Sequence, residues 1–192
     1  MQKFKLRTFF GLMELEKALI ALKNLVRTGW MQKGIPPSMG ETVSQHCWEA
    51  AILAYYLGSK LKEKGVNVNP ERASVIALFH DFGESLLGDL PKWASDRIPQ
   101  KEEVELEAIK ELGIDENLFS EYKERKTIEG KIAKLSDALS TYLQAIRYSR
   151  LGFDVSEIIK TYEKEIDEFL KDEKLKLISD EVIRLKKNIN GK

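Results

Sequence analysis

Apolar side chains recur at three- and four-residue steps along nearly the whole chain. Residues 8–26 show the pattern in a stripe of Phe9, Leu12, Leu15, Leu19, Leu22 and Val26. This spacing puts apolar groups on one face of a helix, whereas a half-buried strand requires alternation at every second residue. No convincing alternation of that kind occurs, so the sequence predicts an all-α fold without a sheet.

Start and stop signals set the expected helix boundaries after residue 26. The segment TVSQ is a capping box that opens a helix reaching about residue 64, with Thr42 as N-cap and Gln45 at the third helical position. Asn69 and Pro70 are the N-cap and first residue of a helix predicted to end near Gly88. Further helices are expected at about 100–112 and 115–124, from Thr127 as N-cap to residue 150, from Ser156 as cap to about 171, and at roughly 173–188.

The connection RTGWMQKGIPPSMGE, residues 27–41, contains two prolines and three glycines. It is long for a link inside a helical domain, which makes it a candidate functional loop. The chain has no internal repeat or long linker, and its 192 residues can bury a core without disulfides. We therefore expect one domain over 1–192, with C-terminal helices at about 156–188.

The charge balance argues against two classes of partner. Lys and Arg total 31, as do Asp and Glu, so the chain has no net charge at neutral pH. This gives no electrostatic reason to expect a nucleic acid polymer or an anionic membrane as the main partner. No apolar run approaches a membrane span, and acids occur too early in the N-terminus for a signal peptide. A cytoplasmic protein is the expectation.

Four polar residues interrupt the apolar segment ALFHDFGESLLGDLP, residues 77–91. His80 and Asp81 are adjacent, and Glu84 and Asp89 follow His80 at +4 and +9. On a continuous helix Glu84 would face the same side as His80 and Asp81, while Gly88 would end the helix and leave Asp89 in the loop. The segment is either a solvated helix end with scattered charge or a metal site with its own acids.

A metal site would require ligands from elsewhere in the chain. The only other histidine is His46, and Asp137 is the only acid between Glu129 and Asp154. Apolar residues flank Asp137, and an unpaired buried carboxylate there would cost on the order of several kcal/mol, which coordination would offset. The alternative is a helix-surface Asp137 paired with Lys134 or Lys131.

Two imidazoles and two carboxylates without a thiolate suit Mn²⁺, Co²⁺, Fe²⁺, Ni²⁺ or Zn²⁺, with the remaining coordination positions open as in catalytic sites. The single cysteine, Cys47, follows His46 and is a further candidate ligand. A lone cysteine on an apolar helix is more often a small buried hydrophobe.

The order His46, His80-Asp81, Asp137 resembles the H…HD…D signature of the HD-domain metal-dependent phosphohydrolases. HDFGESLLGDLP is similar to the HD-x-x-E-x-x-x-G-D-[LI] motif of the 5′-deoxynucleotidases, the YfbR-like branch that includes the HD-domain-containing protein 2 group. RTGW and ETVSQH resemble the N-terminal segment of that branch, and SDALSTYLQA resembles its last metal-binding helix. The resemblance covers roughly residues 12–150 and implies the HD-domain helical fold.

By this resemblance, one divalent ion (Mn, Co, Fe, Ni, Zn or Mg) is held by His46, His80, Asp81 and Asp137. Glu84 and Asp89 match the acids that handle the attacking water and proton transfer. The implied reaction is hydrolysis of a (deoxy)nucleoside 5′-monophosphate by a metal-bound water, in a homodimeric protein. Three alternatives stay open: hydrolysis of a triphosphate, pyrophosphate or modified nucleotide; a non-catalytic module that binds metal or nucleotide; and a metal-free helical bundle.

The loop after the first helix supplies the expected substrate contacts. Arg27 and Lys33 would neutralise the phosphate oxygens, and Trp30 would cover the sugar or the base. Bacterial members of the branch place an arginine directly before this tryptophan, whereas here Gly29 precedes Trp30. A core anchor for Trp30 and a solvated surface position for Lys33 are the alternative interpretations.

Overall fold

The structure is a computed structural model that describes residues 14–189. Three helix starts that the sequence predicts are capped in it as expected. The side chains of Thr42, Asn69 and Thr127 each accept a hydrogen bond from the backbone N–H three residues further on. At Thr42 the capping box is complete, because the Gln45 side chain bonds back to the Thr42 backbone. These bonds satisfy N–H groups that a helix start leaves without intrahelical partners.

The all-α prediction is confirmed over the described residues, where the only β-type pairing is an isolated antiparallel bridge between Val26 and Thr42. The helix expected at 8–26 is described as α1 over 14–24, and its predicted start lies outside the described residues. The other helices are α2 Thr28–Met31, α3 Val43–Glu63, α4 Pro70–Phe79, α5 Glu84–Leu87, α6 Lys92–Ser95, α7 Lys101–Glu111, α8 Glu116–Glu124, α9 Ile128–Arg150, α10 Ser156–Phe169 and α11 Ser179–Ile189, with a 3₁₀ turn at Leu175–Ile178 before α11.

The prediction of one helix from Pro70 to near Gly88 is wrong. Helix α4 ends at Phe79, residues 80–83 form a turn, and the short helix α5 follows. The His80 side chain bonds to the carbonyl of Ala77, and the next backbone bonds, such as Glu84 N–H to Asp81 O, span three residues. The chain therefore leaves the α-helical path at His80 and Asp81, the residues that the sequence marks as metal ligands.

Helix α9 lies at the centre of the fold and packs against α3, α4, α8 and α10. The main core fills the space between these helices, with Leu57 of α3, Ile76 of α4 and Leu135 and Leu139 of α9 fully buried. Ile166 of α10 and the residues that follow α10 join the same core. This packing holds α3, the end of α4 and the middle of α9 next to one another.

No helix in the 14–189 range is long and apolar enough to cross a membrane.

Candidate active site

The two histidines hold their Nδ1 atoms against hydrogen-bond acceptors. His80 Nδ1 lies 2.6 Å from the carbonyl oxygen of Ala77. His46 Nδ1 lies 3.2 Å from Ser140 Oγ, and that hydroxyl donates in turn to Glu49 Oε2 at 3.3 Å. Since a carbonyl, or a hydroxyl already donating elsewhere, must accept, the proton belongs on each Nδ1. Both Nε2 atoms therefore offer lone pairs, as metal-binding histidines do.

The two Nε2 atoms converge with two carboxylate oxygens. His46 Nε2 lies 3.0 Å from Asp137 Oδ1 and 4.0 Å from Asp81 Oδ2. His80 Nε2 lies 3.0 Å from Asp81 Oδ2 and 3.7 Å from Asp137 Oδ1. Ligand atoms about 2.1 Å from one ion stand about 3–4 Å apart, so this donor set fits a single divalent cation. The close contact of His80 Nε2 with Asp81 lacks hydrogen-bond geometry, so this buried nitrogen has no hydrogen-bond partner among the residues described.

The charges around this point favour a cation. Burial alone would raise the pKa of both carboxyls, but His80 lowers the pKa of Asp81, and Lys134 with His46 lowers the pKa of Asp137. Burial alone would lower the pKa of His80, whereas the charge of Asp81 raises it above its usual range. Two ionised carboxylates therefore face the shared point, and a metal ion there competes with a proton on His80.

The second carboxylate oxygen of Asp137 is held by two neighbours that sequence reasoning did not assign to the site. The Tyr122 hydroxyl donates to Oδ2 at 2.5 Å, and Lys134 Nζ donates to it at 2.8 Å. The alternative pairing of Asp137 with Lys134 thus coexists with the ligand geometry, while Lys131 pairs with Asp172 instead. These contacts fix the carboxylate so that Oδ1 faces the histidines.

Tyr122 belongs to α8 and lies within the mixed-charge run EYKERK. It is buried with Leu118 and Phe119, and these three form an apolar face of α8 at positions i, i+1 and i+4. That spacing was present in the sequence and would have indicated a buried tyrosine.

Cys47 is buried, with Sγ 3.9 Å from His80 Nδ1. A grouping of Cys47 with His80 and Asp81 is within metal-binding reach, but the His80 nitrogen nearest the thiol is the one bonded to Ala77. Burial raises the pKa of Cys47, which keeps the thiol protonated and disfavours the thiolate that binds metals. The geometry favours the buried hydrophobe over the ligand.

Glu84 lies at the start of α5, beside the four converging residues His46, His80, Asp81 and Asp137, and lines the same cavity as Asp81 and Asp137. Its side chain is buried, and its Oε2 has no hydrogen-bond partner among the residues at 14–189. Burial, with the charges of Asp81 and Asp89 nearby, raises the pKa of Glu84 to about 10. A buried, unpartnered carboxyl in a cavity of this kind is typical of a functional site.

Asp89 follows Gly88, whose φ of 83° suits a residue without a Cβ and ends α5 as expected. The Asp89 carboxylate accepts a hydrogen bond from the backbone N–H of Thr28, and the Thr28 hydroxyl donates to the Asp89 carbonyl at 2.9 Å. These bonds tie the loop after α5 to the start of α2, so that Asp89 lines the cavity together with residues of the 27–41 loop.

Arg27 is mostly buried at the cavity wall. Its guanidinium donates to Thr141 Oγ1 at 3.1 Å and to Glu41 Oε2 at 3.4 Å. Burial opposes the charged form, but the carboxylate of Glu41 raises the pKa of Arg27 above its usual range. A fixed positive charge therefore faces the cavity next to the acids.

Trp30 and Lys33 differ in their exposure to the cavity. Trp30 is only 2% exposed, donates through Nε1 to Glu41 at 3.0 Å and packs edge-on against Tyr148 with ring centres 5.1 Å apart. This burial favours the anchor interpretation over a broad contact with substrate. Lys33 lines the cavity and pairs with the exposed Glu157 at 2.6 Å.

The cavity above the converging ligands has a volume of about 650 Å³. Its lining includes acids, among them Asp81, Glu84 and Asp137, together with the cationic residues Arg27 and Lys101. This size lies in the range of small-molecule sites, and the cationic side chains in the lining suit a ligand that carries a phosphate group.

Comparisons with known proteins identify a matching family and several relatives of this chain. A family model described as HD domain matches residues 19–172, which extends the match beyond the expected limit near 150 into α10. The 5′-deoxynucleotidase HDDC2 of Dictyostelium discoideum is 31% identical over 152 residues, covering 72% of this chain and 78% of that protein. The 5′-deoxynucleotidase HDDC2 of Bos taurus is 29% identical over 181 residues, covering 88% and 83%. The 5′-deoxynucleotidase YfbR of Escherichia coli O1:K1 is 31% identical over 140 residues, covering 63% and 67%.

Solved structures show the same fold. A conserved hypothetical protein from Pyrococcus furiosus superposes with a TM-score of 0.81 at 31% identity, covering 91% of this chain and 99% of that one. A protein from Pyrococcus horikoshii OT3 superposes with a TM-score of 0.79 at 25% identity, covering 90% and 97%.

Proposed function

Because this chain belongs to the HD domain family, we propose that it is a divalent-metal-dependent phosphomonoesterase that hydrolyses (deoxy)nucleoside 5′-monophosphates to nucleoside and phosphate. The observation that carries the proposal is the convergence of two Nε2 atoms and two carboxylate oxygens beside the unpartnered Glu84, at the wall of a large cavity. The relatives named 5′-deoxynucleotidase support the substrate class.

His46, His80, Asp81 and Asp137 would hold the ion, and the donor set suits Mn²⁺, Co²⁺, Fe²⁺, Ni²⁺ or Zn²⁺, with Mg²⁺ as a further candidate. When bound, such an ion supplies positive charge to a phosphoryl oxygen and lowers the pKa of an adjacent water. Tyr122 and Lys134 orient Asp137, and Ser140 orients His46. These contacts keep the ligands arranged before the ion arrives.

Glu84 is proposed to orient the attacking water and to take its proton. Its buried carboxyl lines the cavity and has an oxygen without a protein partner in the described residues, so it is available to a water or to substrate. The charges of Asp81 and Asp89 favour its neutral form, and a cation among the ligands offsets that repulsion. Glu84 can therefore change protonation state during the reaction.

Asp89 and Arg27 are proposed to act on the phosphate side of the substrate. Asp89, held by Thr28 at the cavity wall, would protonate the departing 5′-oxygen or share that task with Glu84. Arg27 would neutralise non-bridging oxygens, because its charge is fixed by Glu41 and Thr141 and faces the cavity. Lys33 would add positive charge from the loop, and Trp30 would hold that loop in place.

A homodimer is part of the proposal. The outer face of α3 exposes large apolar side chains at helical spacing, with Trp48 64%, Ile52 53% and Tyr55 48% exposed. A self-complementary apolar stripe of this kind suits a two-fold contact between copies. The cytoplasmic location remains a prediction from the sequence.

The deciding experiment is phosphate release from a panel of ribo- and deoxyribonucleoside 5′-monophosphates by protein loaded with Mn²⁺, Co²⁺ or Mg²⁺. We expect release from at least one deoxynucleoside monophosphate and none after chelation. Parallel assays with nucleoside triphosphates and pyrophosphate test the other nucleotides. Absence of release from every monophosphate with all three metals would overturn the proposed function.

A further inference from the structure

One aromatic side chain at the cavity is far more exposed than the others. Trp93, on the short helix α6, lines the cavity and is 70% exposed. Single exposed apolar residues are common on protein surfaces, but a large indole lining a polar cavity leaves a flat π-face available to a ligand. None of the roles proposed above uses this residue.

The indole is held by a residue that does not itself line the cavity. The guanidinium of Arg97 lies 4.3 Å from the centre of the Trp93 ring, and Arg97 also donates to the Trp93 carbonyl at 3.0 Å. Arg97 is not among the residues that line the cavity, whereas Trp93, Ser95 and Asp96 are. A cation–π contact thus supports the ring, and the residue is still 70% exposed, so much of the indole surface stays available to a ligand.

Helix α6 follows Asp89 closely in the chain. Asp89 is tied to Thr28, and Trp93 follows it by four residues, so their Cα atoms are at most about 14 Å apart. Lys92 and Asp96 form an ion pair at 3.1 Å along α6. Trp93 therefore lines the same cavity as Asp89 and lies close to it along the chain.

From this arrangement we infer that Trp93 is the stacking platform for the nucleobase of the substrate. The inference rests on the proposed function, because the acids and Arg27 then bind the phosphate. A nucleoside 5′-monophosphate carries its phosphate and its base at opposite ends of the sugar, and the cavity lining supplies both charged groups and an exposed aromatic ring. Every base has a π-face, so this contact gives affinity with little selectivity among bases.

The test compares a substrate that has a base with one that lacks it. Trp93→Ala should raise the KM for 2′-deoxyadenosine 5′-monophosphate about 5- to 150-fold, the range expected for one stacked base, with kcat nearly unchanged. The KM for 2-deoxyribose 5-phosphate should stay at the wild-type value. Trp93→Phe, which keeps a flat ring, should recover most of the affinity. Ile98→Ala is the matched control, since Ile98 is exposed in the same segment and does not line the cavity.

Binding measured by calorimetry in a Glu84→Gln background separates this inference from the proposed function. If the wild type binds nucleoside monophosphates but hydrolyses none, the proposed function fails, while a weaker Kd in Trp93→Ala still supports the platform. The inference is overturned if Trp93→Ala leaves KM and Kd unchanged, if both substrates lose affinity equally, or if Ile98→Ala has the same effect.

Discussion

Two buried glutamates on neighbouring helices have opposite surroundings. Glu84 opens α5 and Glu105 lies in α7, which packs against α5, and the two residues are 7% and 6% exposed. Glu105 is bound by Lys123 at 2.7 Å and by Lys101 at 3.1 Å. Glu84 has an oxygen with no hydrogen-bond partner in the 14–189 range and a pKa raised to about 10.

The difference shows how a function can be inferred from the environment of a residue. A buried carboxylate with two ammonium partners is compensated, so it contributes to the connection between α7 and α8. A buried carboxyl without partners destabilises the fold, and folds retain such a group mainly where chemistry needs it. Glu84 and Glu105 therefore form a matched pair for experiment, since residue type and burial are the same and only pairing differs.

The largest expected effect is on turnover. Glu84→Gln should lower kcat for the best nucleoside monophosphate about 10²- to 10⁴-fold, because the proton acceptor for the attacking water is lost. Metal content by elemental analysis should equal that of the wild type, because Glu84 is not one of the four converging ligands. Glu105→Gln should keep wild-type turnover. Loss of metal from Glu84→Gln would make Glu84 a ligand and contradict the role proposed for it.

The second expected effect is on the stability of the metal-free protein. Here Glu84→Gln should be favourable, whereas its effect on turnover is unfavourable. A folded-state pKa of about 10 lies far above the unfolded value of about 4.3, so the folded protein binds an extra proton between these values. The contribution of the protonated Glu84 to the free energy of unfolding is fully present below about pH 4. It is lost as the pH rises toward 10. Glu84→Gln should therefore raise the free energy of unfolding by about 2–4 kcal/mol at pH 7 and by about 1 kcal/mol or less at pH 5.

Urea denaturation in the presence of a chelator, at pH 5, 7 and 8, measures this gain. The gain should grow with pH and shrink when the metal is restored, since a cation stabilises the ionised carboxylate. A constant difference across the three pH values would show that the glutamate is not held neutral in the fold.

Much of the fold could be predicted because its signals are local. Thr42, Asn69 and Thr127 each bond to a backbone group three residues away, so the sequence nearby is sufficient to place these helix starts. The end of α4 was missed because it depends on the His80 side chain bonding to Ala77 in place of a regular helix, and apolar periodicity does not report such a bond. Ser156 was expected as a cap, but Asp154 accepts the hydrogen bonds of Ser156 instead.

The candidate ligands could be predicted because few histidines and isolated acids exist in the chain. What the sequence could not supply is the set of contacts between distant segments. The bond of Tyr122 to Asp137 and that of Asp89 to Thr28 join residues 15 and 61 positions apart. These contacts arise from the packing of α8 on α9 and of the two loops on each other, and no local pattern encodes them.

The smallest expected effect concerns Glu105, the buried glutamate that is paired with two lysines. Glu105→Gln removes the charge-assisted hydrogen bonds to Lys101 and Lys123 and should lower the free energy of unfolding by about 1–2 kcal/mol at pH 7. Both lysines reach solvent, with 19% and 24% of their side chains exposed, so they can be hydrated after the change and the loss stays modest.

The matched control for Glu105→Gln is Glu124→Gln, which removes an ion pair with Lys126 whose side chains are 52% and 79% exposed. It should change the free energy of unfolding by less than about 0.5 kcal/mol. If Glu105→Gln instead stabilised the protein as Glu84→Gln is expected to do, burial alone would explain both effects. The unpaired state of Glu84 would then no longer distinguish a functional residue from a structural one.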